Sequence, residues 1–231
     1  MRRTVYPDRY VSRDHIAAAM ERCRIVAILA VCAMGKSINL ESVLASLNKP
    51  VLFVACRIVH ALDGQVQFGL ELYNTKELVR DHPMRSTTIN SLHMFKEWFE
   101  TYKDEGVLVL DELRSTLAVL NSNHYKDHGG VALLDKMMRK CIVIAADADL
   151  MCDGMCEGFL TSFGDVGLIE YSHKPLPRTV GCVCGLAGGK YWDAVFQHRV
   201  ASKCNVFVHL NSTDKASNLA AFCKNHGVSY A

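Results

Sequence analysis

The sequence lacks an apolar segment long enough to cross a membrane. Its first strongly apolar stretch, residues 25–34, is far shorter than the roughly 20 residues that a bilayer-spanning helix needs. The stretch follows an N-terminus that contains Arg2, Arg3 and Arg9, and it starts too late for a typical signal peptide. We therefore expect a soluble, intracellular protein with no membrane partner.

The sequence also lacks an excess of charge of either sign. Its 26 Lys and Arg residues nearly balance its 24 Asp and Glu residues, which gives a formal net charge of +2. The overall charge of the chain therefore does not indicate recognition of nucleic acid, and any contact with DNA has to be local. The chain contains no internal repeat and no low-complexity tract.

The 10 cysteines lack the spacing of a zinc site. The close pairs are Cys152 with Cys156 and Cys182 with Cys184, and neither has the C-x2-C spacing or an accompanying pair of histidines. Other cysteines, such as Cys56, lie inside apolar runs. This pattern is typical of reduced, buried thiols rather than of a disulfide framework.

What the sequence does contain is an alternation of short apolar runs and helical patterns. The runs predict strands at residues 25–31, 51–55, 86–89, 107–110, 142–146 and 206–210. The helical patterns cover residues 37–47, 92–102, 131–140 and 215–225. Fully apolar strands between helices imply a parallel sheet with both faces covered, which is a doubly wound α/β fold. Ligands in such sheets bind at the carboxyl ends of the strands.

The first predicted strand runs into the segment A-V-C-A-M-G-K-S, residues 30–37, and a predicted helix follows. In the phosphate-binding loop G-x-x-x-x-G-K-[ST], backbone N–H groups and the lysine hold phosphates while the hydroxyl holds Mg²⁺. The G-K-S triplet fits this pattern, whereas Ala30 and Ala33 replace glycines that are common in such loops. The segment indicates an imperfect loop for ATP and Mg²⁺. Its predicted nucleotide contacts are Ala33, Met34, Gly35, Lys36 and Ser37.

The predicted strand 107–110 is followed by Asp111 and Glu112. An apolar strand that ends in Asp-Glu is the Walker B pattern, in which the aspartate holds Mg²⁺ and the glutamate activates the attacking water. The same two residues could instead cap the next helix. The G-K-S triplet upstream favours the Walker B interpretation. Ser37 and Asp111 are then the predicted metal ligands, and Glu112 is the predicted catalytic base.

Several segments together resemble the herpesvirus-type replication origin-binding helicases of helicase superfamily 2. These are D-E-L-R-S at residues 111–115, V-L-F-V-A-C-R at 51–57, T-I-N-S-L-H at 88–93 and I-A-A-D-A-D-L at 144–150. Residues 205–212 resemble the strand that opens the second lobe of these enzymes. The resemblance extends over residues 24–231 in the family's order. It implies a RecA-like first lobe of the P-loop NTPase type.

The resemblance also implies roles for residues outside the phosphate loop. Arg57, Ser91 and His93 would contact nucleic acid, and Arg114 and Asp147 would couple the nucleotide site to it. Each has an ordinary structural alternative. Arg57 could be a solvated charge at a strand end, His93 a capping or packing residue, and Asp147 the cap of a turn.

By this comparison the chain divides into an N-terminal extension (1–23), an ATP-binding lobe (24–172), a linker (173–203) and the start of a truncated second lobe (204–231). The arginines of a complete second lobe would be missing. Because such an arginine can raise the hydrolysis rate by several orders of magnitude, we expect weak or absent turnover by this chain alone. An exposed sheet edge in a truncated lobe would favour self-association.

The predicted function is therefore an ATP-binding helicase-type domain that couples ATP and Mg²⁺ to DNA contact, in DNA replication and plausibly in the nucleus. The alternative is a catalytically inactive helicase-derived fragment that binds nucleic acid or protein. A third reading, a kinase-like P-loop enzyme, is disfavoured by the Asp111-Glu112 pair and by the strand that ends at Arg57.

Overall fold

The computed structural model describes residues 1–31, 34–72, 83–123, 125–152 and 154–173. The chain divides into two compact units, Met1–Pro175 and Leu176–Ala231. The linker predicted at 173–203 beyond residue 173, the strand predicted at 206–210 and the helix predicted at 215–225 lie outside the described residues. The fold below is that of the first unit.

Eight strands of the described residues form one sheet in which every pair of neighbours is parallel. The strands are β1 (Arg2–Tyr6), β2 (Ile25–Leu29), β3 (Val51–Ala55), β4 (Glu71–Leu72), β5 (Met84–Thr88), β6 (Val107–Asp111), β7 (Ile142–Asp147) and β8 (Val166–Tyr171). Their order across the sheet is β1-β8-β2-β7-β6-β3-β5-β4.

Helices connect these strands. They are α1 (Arg13–Met20), α2 (Lys36–Leu47), α3 (Ile58–Phe68), α4 (Lys96–Tyr102), α5 (Leu113–Leu120), α6 (Gly130–Lys140) and α7 (Met155–Thr161). A 3₁₀ segment, Ile89–Phe95, precedes α4. None of the described helices has the length and apolar character needed to cross a membrane.

The helices cover both faces of the sheet, which confirms the predicted doubly wound α/β, RecA-like architecture. Side chains of β6 alternate between two buried clusters, because successive residues of a strand point to opposite faces. Leu108 and Leu110 pack with α4, α5, α6 and α7. Val107 and Val109 belong to the cluster that contains buried residues of α1, α2 and α3. Burial on both faces explains why these strands are apolar throughout.

Some element boundaries differ from the sequence-based prediction. The third strand is Met84–Thr88 rather than 86–89, and the helix predicted at 92–102 begins as the 3₁₀ segment Ile89–Phe95. Residues 1–23, predicted as an N-terminal extension, supply β1 and α1 to the first unit. β1 pairs with β8 at the sheet edge, where its R-R-T-V-Y sequence is largely exposed and gives no apolar signal.

The strand order creates a crevice at the carboxyl edge of the sheet. From β2 the chain crosses through α2 toward β3, and from β7 it crosses through α7 to β8 on the opposite side of β2. Helix α2 packs on one face and α7 on the other. Neighbouring strands whose connections leave in opposite directions leave an opening between their carboxyl ends, which is where ligands bind in open α/β sheets. β2 and β7 are such a pair.

Candidate functional site

The G-K-S triplet lies at the carboxyl end of β2, where the sheet opens. Gly35 has a φ of 73°, a left-handed conformation that glycine adopts without strain, and it directly precedes α2. Lys36 is the first residue of α2 and donates hydrogen bonds to the carbonyl oxygens of Ala30 at 2.5 Å and Val31 at 3.3 Å. Its ammonium group therefore lies against the loop backbone, at the positive end of the helix dipole.

Contacts on either side hold this loop in place. The Val11 N–H donates to the carbonyl oxygen of Met34 at 2.9 Å, and Met34 is buried. The Asn39 side-chain amide donates to the carbonyl oxygen of Gly35 at 3.1 Å. Of the five predicted nucleotide contacts, Ala33 lies outside the described residues, and the other four occupy the turn and the start of α2.

Asp111 is the last residue of β6 and Glu112 follows it, on the same edge as the loop. A cleft of about 430 Å³ is lined by Ser37 from α2, His60 and Asp63 from α3, and Asp111 and Glu112. This volume lies within the roughly 300–1,000 Å³ that ligand sites usually occupy. The structure thus brings the predicted metal ligands and the predicted base together in one cleft.

Asp111 is electrostatically perturbed in this cleft. Burial and the neighbouring charge of Glu112 raise the pKa of Asp111 from 3.8 to about 6. A hydrogen bond from the Glu112 backbone and the charges of His60 and Lys36 act in the opposite direction. A carboxylate that is buried beside another one is a favourable place for a cation, because a cation offsets both the burial and the repulsion.

Glu112 occupies an unusual backbone conformation. Its φ is 50°, in the left-handed region that a residue with a Cβ rarely adopts. It stands at the N-cap of α5, yet its side chain makes no capping hydrogen bond. Glu112 therefore occupies the cap position of the next helix, but without the side-chain hydrogen bond that a capping residue normally makes. Strained backbone of this kind costs on the order of 1–3 kcal/mol and clusters at functional sites.

Asp147 connects the end of β7 to the start of α5. One of its carboxylate oxygens accepts a hydrogen bond from the Arg114 backbone N–H at 2.8 Å, and the other accepts one from the Asp149 N–H at 2.8 Å. The side chain is therefore both the cap of a local turn and a link to the segment that follows Glu112. The Arg114 and Asp149 side chains form a more exposed ion pair at 3.8 Å.

A scan against known protein families finds no match, and a search of curated proteins finds no similar sequence.

The predicted nucleic-acid residues follow two adjacent strands. Arg57 comes after β3 and is exposed at the N-cap of α3. Ser91 and His93 come after β5, in the 3₁₀ segment, where both are half-buried. β3 and β5 are paired in parallel, with Ala55 opposite Thr88, so all three residues lie at the carboxyl edge. His93 also contacts the His128 ring, with centroids 5.2 Å apart, so packing accounts for part of its environment.

The donor set of the cleft fits a nucleotide-bound magnesium ion better than a metal held by protein alone. No group of three or more His, Cys, Asp or Glu side chains among the described residues is arranged to hold a metal ion. Ser37 and Asp111 nevertheless supply a hydroxyl and a carboxylate to one cleft. Mg²⁺ usually keeps several waters and takes one or two carboxylates together with phosphate oxygens. Two protein oxygens are sufficient for such an ion.

Sequence reasoning missed α3 and with it one wall of the cleft. His60, Asp63 and Gln67 line the cleft, but none belongs to a motif that the sequence analysis singled out. The only indication in the sequence was the place of this segment in the chain, because α3 begins directly after Arg57, near the end of a strand. A helix predicted there would have placed its first turn at the ligand-binding edge.

Proposed function

We propose that this chain binds ATP and Mg²⁺ at the carboxyl edge of its sheet and couples that binding to contact with DNA. The observation that carries the proposal is the cleft shared by Ser37, at the start of α2, and the Asp111-Glu112 pair, at the end of β6. Two motifs that are far apart in the sequence thus meet in one opening of suitable volume. Their chemistry is that of a phosphate loop and a Walker B strand.

Each residue has a defined part in this proposal. The backbone around Gly35 and the ammonium group of Lys36 bind the phosphates, and Ser37 and Asp111 hold the ion. Mg²⁺ would neutralise developing charge on the phosphates. Glu112 lines the cleft beside Asp111 and would orient or deprotonate the attacking water.

Coupling to DNA would run through the connection between β7 and α5. The Asp147 carboxylate accepts a hydrogen bond from the Arg114 N–H, two residues after Glu112, so a shift of the Walker B end would move both segments together. Arg57, Ser91 and His93 lie at the same edge, after β3 and β5, and would contact the nucleic acid. A role in DNA replication, and hence a nuclear location, follows only from the resemblance to origin-binding helicases.

The runner-up function is a helicase-derived module that binds nucleic acid or protein without nucleotide turnover. The observation in its favour is the altered phosphate loop, where Ala30 stands in place of the first glycine. The two proposals differ in whether ATP binds at all. Turnover by this chain alone does not separate them, because the first proposal expects weak or absent hydrolysis and the runner-up expects none.

Calorimetric titration with ATP, in Mg²⁺ and in EDTA, tests the proposal. We expect Mg²⁺-dependent binding that falls roughly 10- to 100-fold in Lys36→Ala, because a hydrogen bond to a charged group contributes about 1.5–3 kcal/mol. Lys140→Ala is the matched control, since Lys140 is exposed at the end of α6 and precedes β7 at the opposite edge of the sheet. A folded wild-type chain that binds DNA but no ATP would favour the runner-up.

A further inference from the structure

His60 is a histidine of the cleft that no motif assigns. It lies in the first turn of α3 and lines the same opening as Ser37, Asp111 and Glu112. Its charge is near enough to Asp111 to act on the carboxyl electrostatically. His60 therefore borders the cleft in which the proposed metal ligands and the proposed base meet.

The buried Cys56 contacts one nitrogen of the His60 ring. The Cys56 sulfur lies 3.5 Å from Nδ1 of His60, one helical turn along the chain. Burial raises the pKa of the Cys56 thiol, so the thiol keeps its proton and its S–H can donate to Nδ1. A neutral imidazole whose Nδ1 accepts a hydrogen bond carries its proton on Nε2.

The other ring nitrogen is therefore a donor on the side away from Cys56. A protonated imidazole also carries a proton on Nε2, so this donor is present in either charge state of the ring. The cleft around it holds the carboxylates Asp63, Asp111 and Glu112, which can only accept when ionised. The charge of Lys36 also acts on Asp111.

We propose that His60 donates its Nε2–H to the terminal phosphate of the bound nucleotide and thereby distinguishes ATP from ADP. This inference rests on the nucleotide site proposed above. Cys56 acts as a positioning residue, because it contacts the His60 ring and not the nucleotide. A donor that reaches only the terminal phosphate adds affinity for a triphosphate and adds none for a diphosphate.

The test compares binding of two ligands to the full chain, the Mg²⁺ complex of a non-hydrolysable ATP analogue and the Mg²⁺ complex of ADP. We expect His60→Leu to weaken binding of the analogue about tenfold, which corresponds to one hydrogen bond to a charged group, and to leave ADP binding unchanged. His60→Gln should keep most of the wild-type affinity for the analogue, because the glutamine amide nitrogen can take the place of Nε2. Cys56→Ala should weaken analogue binding a few-fold.

Val59→Ala is the matched control, because Val59 neighbours His60 on α3 but its side chain is 59% exposed and does not line the cleft. It should leave the affinity for both ligands unchanged. If His60→Leu fails to fold, His60→Asn replaces it, because an asparagine amide lies near the Nδ1 position and cannot substitute for Nε2. The asparagine variant should then lose analogue affinity while the glutamine variant keeps it.

The outcomes separate the two proposals. Equal losses for the analogue and ADP, or no loss for either, would overturn the role of His60 and leave the nucleotide site standing. Failure of the wild-type chain to bind either ligand would overturn the nucleotide site itself and the role of His60 with it.

Discussion

Asp111 destabilises the folded protein at neutral pH. Its pKa is raised from 3.8 to about 6, so the folded state holds this proton more tightly than the unfolded chain does. Stability therefore falls as the pH rises from about 4 through about 6, and the cost persists at higher pH. A cation bound at Asp111 would offset this loss of stability, as expected for a residue that holds Mg²⁺.

Replacing this carboxylate by an amide should therefore stabilise the protein. We expect Asp111→Asn to raise the free energy of unfolding at pH 7 by on the order of 1–3 kcal/mol, and the gain should vanish near pH 4. Urea denaturation at the two pH values measures both. Asp135→Asn is the control, because Arg139 lowers the pKa of that exposed carboxyl and no such gain should follow. A variant less stable than the wild type at pH 7 would contradict the argument.

Asp147, in contrast to Asp111, stabilises the folded protein. It is 3% exposed and accepts two backbone hydrogen bonds, from the N–H groups of Arg114 and Asp149. Asp147→Ala leaves both donors without this partner and should cost about 2–4 kcal/mol in the free energy of unfolding. The neighbouring Asp149→Ala removes an exposed ion pair with Arg114 and a long, exposed contact with the Cys152 thiol, and it should cost less than about 1 kcal/mol. Equal losses in urea denaturation would show that Asp147 does not tie β7 to α5.

At the scale of elements, α3 depends on a glycine for its packing against the sheet. A Cβ at Gly64 would lie 2.8 Å from two ring atoms of Phe53. Phe53 belongs to β3 and is itself buried in the cluster that includes α3. Helix α7 contains Gly158, where an added Cβ would meet no atom within 4 Å. The same substitution should therefore have opposite effects in the two helices.

We expect Gly64→Ala to lower the free energy of unfolding by about 1–3 kcal/mol, because overpacking forces the Phe53 ring to move. Gly158→Ala should raise it by about 0.5–1 kcal/mol, because alanine favours the helix over glycine. Thermal unfolding of the two variants beside the wild type measures the difference in sign. A rise in stability for Gly64→Ala would mean that α3 can move away from β3.

The elements differ in how far the sequence reveals them. β3 was predicted with the bounds that it has, Val51–Ala55, because all five residues are buried and apolar. Helix α3 was missed because its large apolar residues are not concentrated on one buried face, as they are in a half-buried amphipathic helix. Val59, Leu62 and Val66 are exposed apolar residues, while Gly64 is buried, so the usual amphipathic pattern is reversed at these positions.

At the scale of the whole molecule, the class of fold follows from the sequence but the strand order does not. Apolar strands between helices require a parallel sheet covered on both faces, and that prediction is confirmed. The placement of β7 between β2 and β6 depends on pairing between distant segments, and no local pattern encodes it. The edge strand β1 was missed for the related reason that an exposed edge needs no apolar sequence.

The residues of the candidate site also fall into those that the sequence predicts and those that it does not. Lys36, Ser37, Asp111 and Glu112 could be predicted because they lie at the end of an apolar strand or in the segment between it and the next helix, and parallel strands bring their carboxyl ends to one edge. His60 could not be predicted, because its place in the cleft depends on how α3 packs. Residues next to strand ends are thus accessible to sequence reasoning, whereas residues on the connecting helices need the structure.

The most direct test of the central claim is a crystal structure with a non-hydrolysable ATP analogue and Mn²⁺, which replaces Mg²⁺ and can be located by its anomalous scattering. We predict the phosphates at the Gly35–Lys36 turn and the metal beside the Ser37 hydroxyl and the Asp111 carboxylate. A nucleotide bound away from the carboxyl edge, or a metal without contact to either residue or its bound waters, would contradict this account.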